Sequence, residues 1–540
     1  MPTPPPDPVD FPPGTVRLFD EKQTDVVPEL LLFPTPSTHP DDPLNWSTPR
    51  KYLSLTCVCL CSMSQGFVTS GLFSIYPQFS EATGIPIDSL NASIGVMYLL
   101  VGWTPLIMTP LSTLYGKRPI YLSTVLIAAG IAIWGPFINS TAAWYGQSAI
   151  LGFTNAPSFA TAEASVADVF FAHERALPMA IYIVLLFLGS LLPPLTGAYL
   201  AEAFGYRSIF WFNAALLGFT FVFCFLFQEE TNYVRAPREE YPMPTAEQAY
   251  DDDDDPFSKP TLQDRTKVPA SAHVVEVDGV HRRPYSARLK LWTRPHVPIL
   301  ATLRDGVLRP LPYLKSPVLW WGVAQYGFGQ VIFNNMNGLS AEILSAPPYN
   351  FSATQVGLCY LAPTIMTIVS VVGFGYLSDW FGVWMARRNG GISEAEHKLW
   401  LLAPLVIILP LSMLLSGLGP YYELHWSVYV IGGIATSCAI SAIQSVAALT
   451  YLFDTFHEFR PPQAADNLDD APQVLAFLPP TMTIAFALSY AIGPWSASML
   501  TYGITSAVMY LVIMLSIFPY IRWGKSIRRR DGIMLSRSKL

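Results

Sequence analysis

Glu163 lies in the apolar segment TAEASVADVFFAHERALP, and no other Asp, Glu, Lys or Arg falls inside a long apolar run of the chain. A charge at membrane depth is costly unless it faces protein or water, so an acid placed there reads as functional. Its carboxyl would be neutral when dry and charged when hydrated or beside a cation, which is the chemistry of a proton carrier. Uncharged polar groups accompany it in other apolar runs: Gln65 near the start of the chain, Asn155 eight residues before the acid, and Gln444 far downstream. One run holds Gln325, Tyr326, Gln330, Asn334, Asn335 and Asn337, a dense set of amides. Amides among apolar walls can orient a polar organic molecule. Each could equally bond a neighbouring helix, an interaction worth roughly 0.6–2 kcal/mol.

A second kind of chemistry gathers where apolar runs end. Lys117 and Arg118 can pair with Asp168 or Glu174, with Arg175 beside them, and Asp379, Arg387, Arg388 and Asp454 repeat the pattern later in the chain. Basic loops orient any membrane protein, so topology alone could account for them. The six cysteines all lie in apolar stretches without metal-ligand spacing and read as small buried hydrophobes.

Composition sets the class. The chain of 540 residues is 51 % hydrophobic and 13 % charged, against about 25 % charged in soluble proteins. A nucleic-acid partner would want a basic face with interleaved aromatics, and none is present. The histidines fall in loops, tails or the ends of apolar runs, so no metal or paired catalytic set stands at depth and no cofactor is expected.

Apolar runs of membrane-crossing length recur. Six are predicted in the first half, near 52–78, 88–112, 119–138, 143–168, 177–201 and 208–228, and six in the second, near 317–341, 354–378, 399–418, 426–452, 473–495 and 501–521. They define an all-α membrane protein with twelve transmembrane helices in two six-helix lobes, 51–228 and 317–523. Residues 1–50, rich in Pro, read as a disordered tail without a signal peptide; 229–316 reads as a linker, and 524–540 as a second tail. The linker holds the acidic run Asp251 to Asp255 and then, over 286–316, a basic-apolar mixture suited to interfacial helices. Lys and Arg concentrate in the loops of one side and in both tails, which predicts that termini and linker are cytoplasmic.

Within span four, Ser148, Gly152, Ala156, Ala160 and Ala164 are spaced by four and read as a packing seam against a helix of the same lobe. At about 1.5 Å per residue, Glu163 stands roughly 12 Å cytoplasmic of the midpoint of that span. The halves also resemble each other. Span four ends in Asp168-Val-Phe-Phe-Ala-His173-Glu174-Arg175 and span ten in Asp454-Thr-Phe-His457-Glu458-Phe-Arg460. Parallel repeats of this kind mark a transporter built from two lobes.

The leader DPLNWSTPRKY (42–52), FGYRSIFWFNAALLG (204–218) with EET (229–231), and GYLSDW with ARRNGG (375–391) resemble the fungal drug:proton antiporter branch of the major facilitator superfamily. The family's Gly-x-x-x-Asp-x-x-Gly-Arg-Arg loop keeps Gly116, Lys117 and Arg118 but has Thr109 and Thr113 for the first Gly and the Asp; its second copy keeps Gly375 and Asp379. The antiporter motif of span five reads Gly189-Ser-Leu-Leu-Pro193-Pro194-Leu-Thr-Gly197-Ala198, and the family's span-four Arg is Ser148. The resemblance implies that spans one, four, seven and ten line a central cavity. Gln65, Asn155, Gln325, Tyr326, Gln330, Asn334, Asn335 and Gln444 are then expected at substrate, with Glu163 in proton coupling. The charged groups at the span ends are expected to latch the outward-facing state. The expected protein is a monomeric plasma-membrane transporter that couples protons to export of an amphipathic organic molecule. Uptake of an organic cation or nutrient, and sensing without transport, remain open; an intramembrane enzyme does not fit.

Overall fold

The computed structural model describes residues 15–17, 39, 41–171, 174, 176–233, 288–291, 298–389, 392–456, 472–491 and 497–538. Arg175, His173, His457, Arg460 and the acidic run of the linker lie outside the described residues. Helix falls on every one of the twelve apolar stretches. Seven helices are long and apolar enough to cross a membrane, or nine if two bent pairs each count as one span, among the described residues.

Several spans are broken, and proline sets the breaks. It lacks the N–H that a helix interior needs, and its ring meets the carbonyl four residues back. Span two bends by 42° between Ile87–Trp103 and Pro105–Tyr115. Span five divides into Ala176–Leu191 and Pro193–Phe204. Span four is an outer helix Thr141–Asn155, a 3₁₀ turn Ala156–Ser158 around Pro157, and an inner helix Thr161–Val169. The expected five-residue seam is therefore not one stripe. Gly152 packs against the Met97 carbonyl of span two, where a Cβ would come within 2.3 Å, while Ala160 beyond the break packs against the core of the second lobe.

Within the first lobe, span one (Thr48–Ser70) crosses span five at Gly66 and Gly189; a Cβ on Gly66 would stand 2.5 Å from the Gly189 carbonyl oxygen. This is why the antiporter-like motif keeps that glycine. Cys61 of span one and Cys224 of span six (Arg207–Phe227) meet there too, Sγ to Sγ 3.3 Å, both as free thiols. Between lobes, span two packs on span eleven (Pro472–Ser489), with Gly102 against Met482, and Gly357 of span eight packs on Ala198 of span five. The longest helix is span seven, Pro317–Ser345, started by Ser316, whose hydroxyl accepts from the Leu319 amide.

The tails are more structured than their composition predicts. Asp42, Leu44 and Trp46 are buried, and Thr15–Arg17 pairs antiparallel with Ile392–Glu394 of the loop before span nine. The C-terminal segment is a helix, Ile517–Ser538, whose Arg528 is fully buried against Glu396. Apolar burial and strand pairing hold the N-terminal segment, and a buried charged pair holds the C-terminal helix.

Candidate functional site

Glu163 occupies the first turn of the inner helix of span four, where backbone N–H groups point outward and favour a carboxylate. It is half-buried and makes no ion pair among the described residues. It lies within electrostatic reach of Tyr182 in span five and of Tyr326 in span seven, on the other lobe. Tyr326 lies beside Gln330 of its own helix and near Tyr98 of span two. Tyr98, Tyr326, Gln330 and Phe187 are all half-buried, as is Phe159 at the break, and Phe187 meets Phe333 of the second lobe with ring centres 5.9 Å apart. One carboxylate and a set of aromatic faces therefore share the seam between lobes. Such a site can hold a proton or an organic cation, since ring faces attract positive charge.

The polar residues expected at substrate divide into two sets. Gln325 and Gln444 are fully buried and joined, Gln444 Nε2 to Gln325 Oε1 at 2.6 Å, and Gln325 Nε2 also donates to the Ile513 carbonyl and Ser516 hydroxyl at 3.0 Å. These bonds join spans seven, ten and twelve. Asn334 donates to the Ala485 carbonyl of span eleven at 3.4 Å, and Asn335 stands beside the Tyr502 hydroxyl. Gln65 and the Asn155 carbonyl oxygen are buried with no hydrogen-bond partner among the described residues. Unpartnered buried amides are rare and favour a site that a ligand or water completes.

At the end of the molecule carrying the termini, Lys117 Nζ lies 2.6 Å from Asp168 Oδ2, both side chains buried. Arg118 is buried and donates to the Phe225 and Leu289 carbonyls. Glu174 is exposed and lies 4.0 Å from Lys51. Sequence reasoning missed the residue that organises this corner, Glu230. Its carboxylate accepts from the amides of Lys117 at 2.9 Å, Arg118 at 3.1 Å and Asn232 at 3.0 Å. Burial nonetheless holds its pKa above the ordinary glutamate value. Beside it Glu229 pairs with Arg50 and Arg288. The EET tripeptide, matched only as a family marker, was the signal.

The charged groups of the second lobe sit in a different arrangement. Asp379 is exposed and makes no ion pair among the described residues, and Arg388 stacks on Trp384 at 3.9 Å. Span eight continues helical to Arg388, so Asp379 and Arg387 are separated by about 12 Å of helix rise. Asp454 pairs instead with Lys398 at 2.9 Å.

Two lobes meeting along spans two, five, eight and eleven, with one acid between them, is the geometry of a two-lobe carrier. A family model described as Major Facilitator Superfamily matches residues 58–455. The chain belongs to that superfamily. An uncharacterized MFS-type transporter of Schizosaccharomyces pombe is 26 % identical, covering 96 % of this chain and 92 % of its own. Protein HOL1 of Saccharomyces cerevisiae is 23 % identical over 83 % and 84 %. The efflux pump FUBT of Fusarium oxysporum is 24 % identical over 77 % of this chain and 65 % of its own. A solved bacterial homolog of the human lysosomal transporter Spinster, inward-facing and unoccupied, shares the fold at TM-score 0.56 and 10 % identity, covering 90 % and 99 %. As a superfamily member, the protein is an integral, multi-pass transporter of small molecules and not an enzyme.

Proposed function

We propose that the protein is a proton-coupled carrier that exports an amphipathic organic molecule by rocking its lobes about the seam at Glu163. The observation that carries this is the placement of Glu163, a half-buried acid on one lobe within reach of Tyr326 on the other. Lobe movement changes how far that carboxyl is hydrated, and hydration decides whether it holds a proton. Gln65, Asn155, Tyr326, Gln330, Asn334 and Asn335 would supply polar contacts to substrate. The ion pairs Lys117–Asp168 and Lys398–Asp454 would act in gating. Export is supported by relatives named as efflux pumps. The basic loops support cytoplasmic termini.

A second reading, uptake of an organic cation, is favoured by the same aromatic-lined carboxylate, which would bind positive charge directly. Flux measured in proteoliposomes under an imposed pH gradient tests both. Glu163→Gln should abolish gradient-driven flux while folded protein persists; an unchanged pH dependence of flux in that variant would sink the coupling role. A protein that binds substrate yet never moves it would be a sensor.

A further inference from the structure

The C-terminal helix Ile517–Ser538 separates its charges by face. Its inward face carries Gly524, Arg528, Asp531 and Leu535, all buried. Arg528 pairs with Glu396, which also accepts from the Tyr451 hydroxyl at 3.3 Å, and the Ser316 hydroxyl donates to Asp531. Lys525 is spent on Glu394 at 2.6 Å. The opposite face carries Arg522, Trp523, Ser526, Arg529, Arg530 and Ile533, all exposed. No ion pair reaches Arg522, Arg529 or Arg530 among the described residues. An open cleft runs between Ser526, Arg529, Arg530, Ile533 and Met534.

The depth of this face follows from its partners. Ser316 is the residue that starts span seven, and it holds Asp531. Further back along the same helix, Trp321 of span seven stacks on Tyr520 with ring centres 4.6 Å apart. The Tyr520 hydroxyl also donates to the Pro317 carbonyl at 2.8 Å, so from residue 520 to 531 the helix advances at most about 8 Å along span seven for about 17 Å along its own axis, and it leaves the bilayer obliquely. Arg529 and Arg530 stand where span seven enters the hydrocarbon, at headgroup height. Trp523, 57 % exposed, is an interfacial anchor on the same face.

We propose that this face binds the phosphate headgroup of anionic phospholipids in the leaflet at the molecule's basic end. The guanidinium groups of Arg529 and Arg530 take the phosphate, Ser526 donates from its hydroxyl, and Ile533 and Trp523 rest on the acyl boundary. Each cation near an anionic surface adds to the attraction, guanidinium or ammonium alike. The site is rigid because the buried Arg528–Glu396 pair fixes the helix to the second lobe.

The test titrates the detergent-purified full chain with short-chain phosphatidylserine, short-chain phosphatidylcholine and inorganic phosphate, reading affinity by calorimetry. Phosphatidylserine should bind, and the other two should not. Arg529→Gln with Arg530→Gln should weaken it about thirtyfold, near fivefold for each basic residue at an anionic surface. The lysine pair Arg529→Lys with Arg530→Lys should retain most of the affinity, which separates loss of charge from loss of fold. Equal affinity in wild type and the glutamine variant would overturn the proposal. So would equal loss in the lysine and glutamine variants, binding of phosphatidylcholine as tight as phosphatidylserine, or inorganic phosphate binding as tightly as the lipid.

Discussion

The two lobes carry related ion pairs at the same end of the molecule, and they differ in burial. Lys117, at the start of span three, meets Asp168 at the end of span four; Lys398, before span nine, meets Asp454 at the end of span ten. The first pair leaves 1 % and 6 % of its side chains exposed, the second 28 % and 37 %. The cause is one turn of backbone. Gly116 takes φ +102° and ends span two, so Lys117 begins the next helix at once. A Cβ at Gly116 would stand 2.2 Å from the Glu230 carboxylate that caps this helix. In the second lobe the motif spacing that leads from Thr113 to Gly116 leads from Asp379 to Gly382, which stays inside the helix Leu361–Arg388. The chain therefore overshoots, and the basic side chain that reaches Asp454 comes from beyond the loop. A motif residue is conditional on its backbone: the lobe that keeps the motif acid leaves it exposed, and the lobe that lost it recruits Glu230.

The sharpest way to break this comparison is to remove one charge from each pair. Lys117→Met leaves Asp168 buried without its lysine, a loss of about 3–5 kcal/mol of stability, whereas Lys398→Met should change it by about 0–1 kcal/mol. Unfolding in mild denaturant measures both. Adding Asp168→Leu to Lys117→Met should restore most of the loss, since replacing a whole buried pair with apolar groups is often neutral. Comparable effects at the two lysines would mean that water reaches the first pair as it does the second.

The glycines sharpen the same contrast by giving opposite signs. Gly116→Ala forces a side chain into positive φ and into Glu230, a destabilisation of about 1–3 kcal/mol. Gly382 is helical, with nothing within 4 Å of where a Cβ would stand. Gly382→Ala should therefore stabilise by about 0.5–1 kcal/mol. Thermal unfolding of the two variants reads the sign directly, and loss of stability at both positions would contradict the turn-based account.

Much of this was legible in the sequence, because hydropathy and proline are local signals. Span positions, the two-lobe repeat and the Lys117–Asp168 proximity all follow from local patterns in the sequence. What was not legible depends on where chains meet. The tie between Gln325 and Gln444 needs two helices 119 residues apart. Burial of Arg528 needs Glu396 to lie beside the C-terminal helix, and composition alone made that helix a tail. Pro157 was visible, yet the regular spacing of small residues across it suggested a continuous helix. A packing pattern was given more weight than a backbone constraint that overrides it.

The smallest effect concerns Glu230, and it is set by pH. Three amides favour its ionised form, but burial disfavours it more, so its folded pKa lies above the ordinary 4.5. Between those values the native state holds more protons than the unfolded chain. The stability that protonation contributes is complete below the unfolded value and is lost as pH rises through the folded one. Wild-type protein should thus lose part of its stability as pH rises above about 4.5 and through the folded value. Glu230→Gln, uncharged throughout, should show a flatter profile over the same range. Identical slopes for wild type and Glu230→Gln would show that the three amides outweigh burial, and the first-lobe corner would then be no different electrostatically from its exposed counterpart.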